Sequence, residues 1–272
     1  MLRTLLLGCC LFISLSCHAG QTVVLIHGYL EDGSEWFKSG VVPILNRAGF
    51  NYLGHLAPQG FYPAHQTVNA NPRYVYTLTL PSEAPILVQA QWLARYMQAL
   101  QTRHPQNELI LVGHSAGGVV ARFSMVQMGL SANTLITIAS PHLGTDKAEW
   151  GLMLGDSPFG FFAPFFGMDT INRSQALYYD LVREAPDTLL FWLNRHPHPP
   201  ARYISIVRAD NPQGITDTVV PAYSQDLNNV VSLQGQATTL QSVGTHALQP
   251  SDGLMLVAIL FNLPMPNANP AR

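Results

Sequence analysis

The sequence is short of thiols, of charge and of long apolar runs. Its three cysteines, Cys9, Cys10 and Cys17, all stand near the start, and none follows. No disulfide framework can therefore staple the body of the protein, which must hold by its core alone. Charged residues make up 11% of the chain, against about a quarter in an average soluble protein. The formal net charge is −2, with no basic stripe, which argues against a nucleic-acid partner. Hydrophobic residues reach 47%, yet no run attains the roughly 18 apolar residues that would suit a bilayer span. With 272 residues, the chain is long enough for one sizeable core.

Part of the apolarity is explained at the start. "MLRTLLLGCCLFISLSCHAG" carries one early Arg, an apolar run from Leu5 to Leu15, and Ala19 after small residues. This pattern predicts a secretory signal peptide over 1–19, cleaved after Ala19, and export to the periplasm or the medium. Ser14-Leu15-Ser16 ahead of Cys17 is a poor match to a lipid-attachment signal. The segment 20–272 is expected to form a single domain.

Along that domain, short apolar runs alternate with helical periodicity. "TVVLI", "ELILV", "NTLITIAS" and "ARYISIVRA" predict strands. "EAPILVQAQWLARYMQALQTRHP" places Leu87, Trp92, Leu93, Tyr96, Met97 and Leu100 at amphipathic spacing, and Pro105 ends it. "GGVVARFSMVQMGL" and "DGLMLVAILFNL" predict two more helices. The alternation argues for an α/β fold with a mostly parallel sheet covered on both faces. One segment breaks the rhythm. About 147–200 carries no clear core strand, and its "GLMLGDSPFGFFAPFFGM" stretch holds five phenylalanines.

The chemistry gathers around "LILVGHSAGG", where a strand runs directly into Gly113-His114-Ser115-Ala116-Gly117 and then a helix. A G-x-S-x-G turn in that context holds a serine hydroxyl clear of the sheet, with glycines where side chains would collide. A serine needs a base, and the base an orienting group. Among the later histidines, His246 in "LQSVGTHALQP" lies in a loop before the final helix, where a base can enter. His142 comes too early, and His196 and His198 read as exposed loop residues in "RHPHPP". Two acids compete for the orienting role. Asp210 ends a strand; Asp217 opens "DTVVP" and is better placed to reach back to an imidazole. Asp226 and Asp252 read as surface or helix-start residues. Oxyanion donors are expected from the backbone N–H groups of Ala116 and of Tyr29 in "VVLIHGYL". His27 reads as a structural histidine holding that turn, and His114 as a residue lining the substrate site without acting as base.

These segments together resemble the α/β-hydrolase superfamily, and within it the secreted bacterial-type lipases and esterases. "VVLIHGYL", "LVGHSAGGVVAR", "TIASPHLGT", "DTVVP" and His246 stand in that family's order and span nearly all of 20–272. The resemblance implies a catalytic triad of Ser115, Asp217 and His246, with Tyr29 and Ala116 as oxyanion donors and no cofactor. It also implies a cap inserted at about 147–200, whose Phe161 and Phe162 would line an acyl pocket and touch a lipid surface. Some secreted lipases carry a disulfide and a calcium site near the base. This chain has no cysteine beyond Cys17 and no Asp in the few residues after His246, so a metal is not expected. Three readings follow: a serine ester or lipid hydrolase; the same triad acting as an acyltransferase, thioesterase or amidase; and a non-catalytic binder of an apolar ligand.

Overall fold

Strand β1 (Gln21–Ile26) is buried on both sides. Val24 and Ile26 enter one core; Val23 and Leu25 enter the other. Two-sided burial is what a continuous apolar run means in a parallel sheet. The computed structural model describes residues 20–65, 69–149, 169–209 and 216–264. Its eight strands are β1, β2 (Asn51–Ala57), β3 (Gly60–Pro63), β4 (Arg73–Leu78), β5 (Glu108–His114), β6 (Thr134–Ile138), β7 (Arg202–Arg208) and β8 (Ala237–Ser242). They form one sheet in the order β3-β2-β4-β1-β5-β6-β7-β8. Every pairing is parallel except the β2–β3 hairpin.

Helices cover both faces. On one side, α3 (Ile86–Arg103) and α4 (Ala116–Gln127) pack with Leu93, Met97, Val119 and Phe123 against the sheet. On the other lie α1 (Glu35–Lys38), α2 (Val41–Arg47) and the last described helix (Pro250–Leu260), with Trp36, Val42, Leu45 and Leu256 buried. The β-strands with continuous apolar runs are those the sequence pattern marks. Strands β2, β4 and β8 are interleaved with polar residues, and β3 is an exposed edge, so no apolar run announces them.

Between β6 and β7, the described residues include three short helices, α5 (Asp169–Arg173), α6 (Gln175–Leu181) and α7 (Leu189–Arg195). Leu177, Leu181, Leu190 and Leu193 join the core on the α3–α4 face. Phe161, Phe162 and the three other phenylalanines of 151–168 lie outside the described residues, as do the expected leader and Asp210. A short helix α8 (Ala222–Gln225) follows the 216–221 loop, and α9 (Pro250–Leu260) closes the described chain.

Candidate active site

The carboxyl end of β5 delivers Ser115 into an unusual backbone conformation, with φ 51° and ψ −129°. Non-glycine residues rarely occupy positive φ, and holding one there costs on the order of 1–3 kcal/mol. The surrounding glycines make the turn possible. A Cβ on Gly113 would lie 2.5 Å from the Gly118 nitrogen, and one on Gly117 would lie 2.7 Å from the Ile26 carbonyl oxygen. Gly118 is equally closed, since its Cβ would stand 2.9 Å from Ser140 Cβ. The turn leaves Ala116 as the first residue of α4, a position whose N–H has no intrahelical acceptor.

Three loops meet at this serine. His246 Nε2 lies 2.8 Å from Ser115 Oγ, and His246 Nδ1 lies 2.8 Å from Asp217 Oδ2. The three residues are separated by 102 and 29 positions in sequence (217 − 115 and 246 − 217), yet they form one continuous hydrogen-bonded row. Asp217 is buried and fully engaged. Its Oδ1 accepts the Val219 and Val220 N–H groups at 2.8 and 2.9 Å, and Oδ2 also accepts Gln225 Nε2 at 3.1 Å. Burial pushes the Asp217 carboxyl up, but the hydrogen bond and charge interaction with His246, helped by the two amides, outweigh it. The net shift is downward, which keeps the group an acceptor-only carboxylate and fixes the proton of His246 on Nδ1.

The loop carrying His246 is anchored from below. Arg208 and Asp252 form a fully buried bidentate pair, with N–O distances of 2.6 and 2.8 Å. Arg208 also donates to the Ala247 carbonyl at 3.1 Å, one residue beyond His246. Asp252 therefore opens α9, as its sequence position suggests, but it is no surface residue. It combines a capping box with Gln249 and the counter-charge for Arg208. Asp226 caps the 3₁₀ turn at Leu227–Asn229 and accepts from Thr239.

The other histidines fall into distinct places. His142 is buried away from the serine and bonds Thr137 Oγ1 at 3.0 Å. His196 and His198 are half-buried rather than exposed, because His196 stacks on Trp192 at 4.0 Å between ring centroids and His198 bonds Ser232. His27 holds its turn as expected, bonding the Gly28 carbonyl at 2.8 Å and accepting the Leu80 N–H at 2.9 Å. His114, expected to line the substrate site, takes up a more enclosed place. Its side chain is buried, both ring nitrogens are occupied, and it is absent from the cavity wall.

That cavity, about 320 Å³, opens on Ser115 and is walled by Tyr29, Ala116, Pro141, Ala148, Leu177 and Leu181 among others. Its walls are mainly apolar. Tyr29 reaches across to the α5–α6 junction, where its hydroxyl donates to Ser174 Oγ at 2.9 Å and meets the Tyr178 hydroxyl at 2.6 Å. The loop after β1 is thereby tied to the short helices between β6 and β7. Among the described residues, no cluster of three or more His, Cys, Asp or Glu side chains could hold a metal ion.

A protein-family model described as a PGAP1-like alpha/beta domain matches residues 76–150, the span containing β5, the Ser115 turn and β6. Solved structures match over far more of the chain. The lin2722 gene product from Listeria innocua superposes with a TM-score of 0.60 at 15% identity, covering 92% of this chain and 97% of its own. The mature form of the lipase BlEst2 from Bacillus licheniformis gives 0.56 at 14%, covering 91% and 94%. The metagenomic carboxyl esterase MGS0156 gives 0.54 at 14%, covering 90% and 76%.

The fold is that of the α/β-hydrolases.

No curated protein matches the chain by sequence. In the α/β-hydrolase fold, the row Ser115–His246–Asp217 sits at the carboxyl ends of β5, β7 and β8, where such sheets present their ligand crevice. Several residues around that row leave no mark in the sequence. Gln225, Arg208, Glu31 and Tyr178 occupy no motif spacing, and only their folded contacts single them out. Asp252 alone carried a local signal, its place just ahead of the apolar run of the last helix.

Proposed function

We propose that the protein is an exported serine hydrolase that cleaves carboxylic esters through an acyl-enzyme on Ser115. The observation that carries this reading is the pair of 2.8 Å contacts made by the two nitrogens of His246. Ser115 Oγ attacks the ester carbonyl carbon while its proton passes to His246 Nε2. Asp217 holds the opposite N–H and stabilises the imidazolium that forms. The oxyanion is taken by the backbone N–H groups of Ala116 and Tyr29, both beside Ser115 in the cavity wall. The Gly28 N–H is already bound to Glu31 Oε2 at 2.8 Å, which leaves Tyr29 as the donor of that loop. Collapse of the tetrahedral intermediate returns the proton from Nε2 to the departing alcohol. Water, deprotonated by the same nitrogen, then releases the carboxylic acid.

The apolar wall of the cavity favours an acyl group over a peptide, and its size suits short to medium chains. The apolar 151–168 stretch, with Phe161 and Phe162, extends the reading to lipid esters presented at a surface. The experiment is turnover of p-nitrophenyl esters from acetate to palmitate by wild type and Ser115→Ala, with fluorophosphonate labelling of the same samples. Turnover and labelling in wild type alone are expected. The absence of both turnover and labelling in wild type overturns the proposal. Substituting Phe161 and Phe162 by Ser should depress emulsified long-chain esters more than soluble butyrate, and equal loss on both would remove the lipid-surface part.

A further inference from the structure

Three imidazoles surround Ser115, and their partners assign their protons. His27 faces one acceptor, the Gly28 carbonyl, and one donor, the Leu80 N–H, so a neutral ring satisfies both. His246 faces the Asp217 carboxylate and a serine hydroxyl that can donate, so a neutral ring again suffices. His114 differs. Its Nδ1 lies 3.0 Å from Glu31 Oε2 and its Nε2 lies 2.9 Å from the backbone carbonyl of His246. A carboxylate and a carbonyl only accept, so both nitrogens must donate.

Glu31 is an acceptor on the same oxygen twice over. Oε2 takes the Gly28 N–H at 2.8 Å as well as His114. Burial pushes its carboxyl up, but the hydrogen bond and charge interaction with His114, then the Gly28 amide, bring the net shift downward. His114 itself is 1% exposed, so water offers it no alternative partner. The groups facing this imidazole are Glu31 from the loop after β1 and the ring of His246, 5.3 Å away between centroids.

We propose that His114 is a positioning residue protonated on both ring nitrogens, which clamps the backbone of the base His246 to the loop carrying Tyr29, with Glu31 as its counter-ion. The proposal rests on the reading of Ser115 and His246 as nucleophile and base. It assigns the variable position of the G-x-S-x-G turn a specific task. One side chain ties together the three loops that carry the oxyanion donor, the nucleophile and the base. A base displaced by about an ångström loses on the order of a hundredfold in rate.

The test combines kinetics with nitrogen NMR of histidine-labelled protein at neutral pH, the His114 signals being assigned by their loss in His114→Gln. Wild type should show both His114 nitrogens in the protonated range, and Glu31→Gln should move one of them to the unprotonated range. Glu31→Gln keeps the oxygen that accepts from Gly28 and removes only the charge. It should lower kcat for p-nitrophenyl butyrate about tenfold, the scale of one charge-assisted hydrogen bond. His114→Ala should lower it about a hundredfold, with KM little changed in both. An unprotonated His114 nitrogen in wild type overturns the proposal, as does an unchanged kcat in Glu31→Gln. If His114→Ala fails to fold, Glu31→Gln decides the kinetic arm. If wild type neither turns over esters nor labels with fluorophosphonate, the esterase reading fails, while the NMR arm still decides the state of His114.

Discussion

Two carboxylate–imidazole pairs stand side by side at the end of the sheet, and they differ in one partner. Asp217–His246 ends on the hydroxyl of Ser115, whereas Glu31–His114 ends on the carbonyl of His246. A hydroxyl can give its proton up; a carbonyl has none to give. The first pair can therefore cycle a proton, and the second can only hold one in place. Burial matches the difference. The His246 side chain is 20% exposed, and that of His114 is 1% exposed. Identical side-chain chemistry becomes either a moving part or a fixed strut according to what its far nitrogen meets.

The largest effect is expected from breaking the moving pair at its end. Ser115→Ala should lower kcat by about 10⁶, without loss of the folded state by circular dichroism, because the glycines rather than the hydroxyl make the turn. Asp217→Asn comes next. An amide can present its N–H to His246 Nδ1 and fix the wrong tautomer, for a loss of about 10⁴ in kcat. Set against the roughly tenfold loss for Glu31→Gln, this ratio sharpens the comparison. Comparable losses in the two variants would break it.

A stability measurement tests the footing that the His246 loop rests on. Asp252→Ala strands Arg208 in a fully buried site and should cost about 3–5 kcal/mol in denaturant unfolding. Smaller again, Tyr29→Phe removes the hydroxyl contacts to Ser174 and Tyr178 but leaves the backbone N–H. It should reduce kcat by a few-fold, on the scale of one hydrogen bond of about 1 kcal/mol. A loss as large as that of Asp217→Asn would move Tyr29 into the proton-handling machinery.

The smallest effect concerns Asp180 in α6, whose carboxyl accepts the Ile86 N–H at the start of α3 at 2.7 Å. Burial raises its pKa from 3.8 to about 6. In that window the folded state binds more protons than the unfolded one, so this group's contribution falls as pH rises from 3.8 through about 6. Asp180→Asn should flatten the dependence of Tm on pH across the window, by about one or two degrees. An unchanged slope would remove Asp180 as its source.

Much of this was legible in the chain itself because its signals are local. Apolar runs of both parities mark β1, β5, β6 and β7, periodicity marks α3, and the glycines around Ser115 mark a turn that admits no side chains. The polar-interleaved strands β2, β4 and β8 carry no such signal, since only their pairing in the sheet stabilises them. The sequence by itself determined the α/β alternation, the glycine-flanked serine turn and the position of a histidine before the last helix. Only the tertiary structure decided which acid meets that histidine, that Asp252 is a buried counter-ion, and that His114 stands between a carboxylate and a carbonyl. Those outcomes depend on contacts between loops tens of residues apart. Which oxygen ends up opposite a given ring nitrogen is set by how the strands bring those loops together, and no spacing along the chain encodes it.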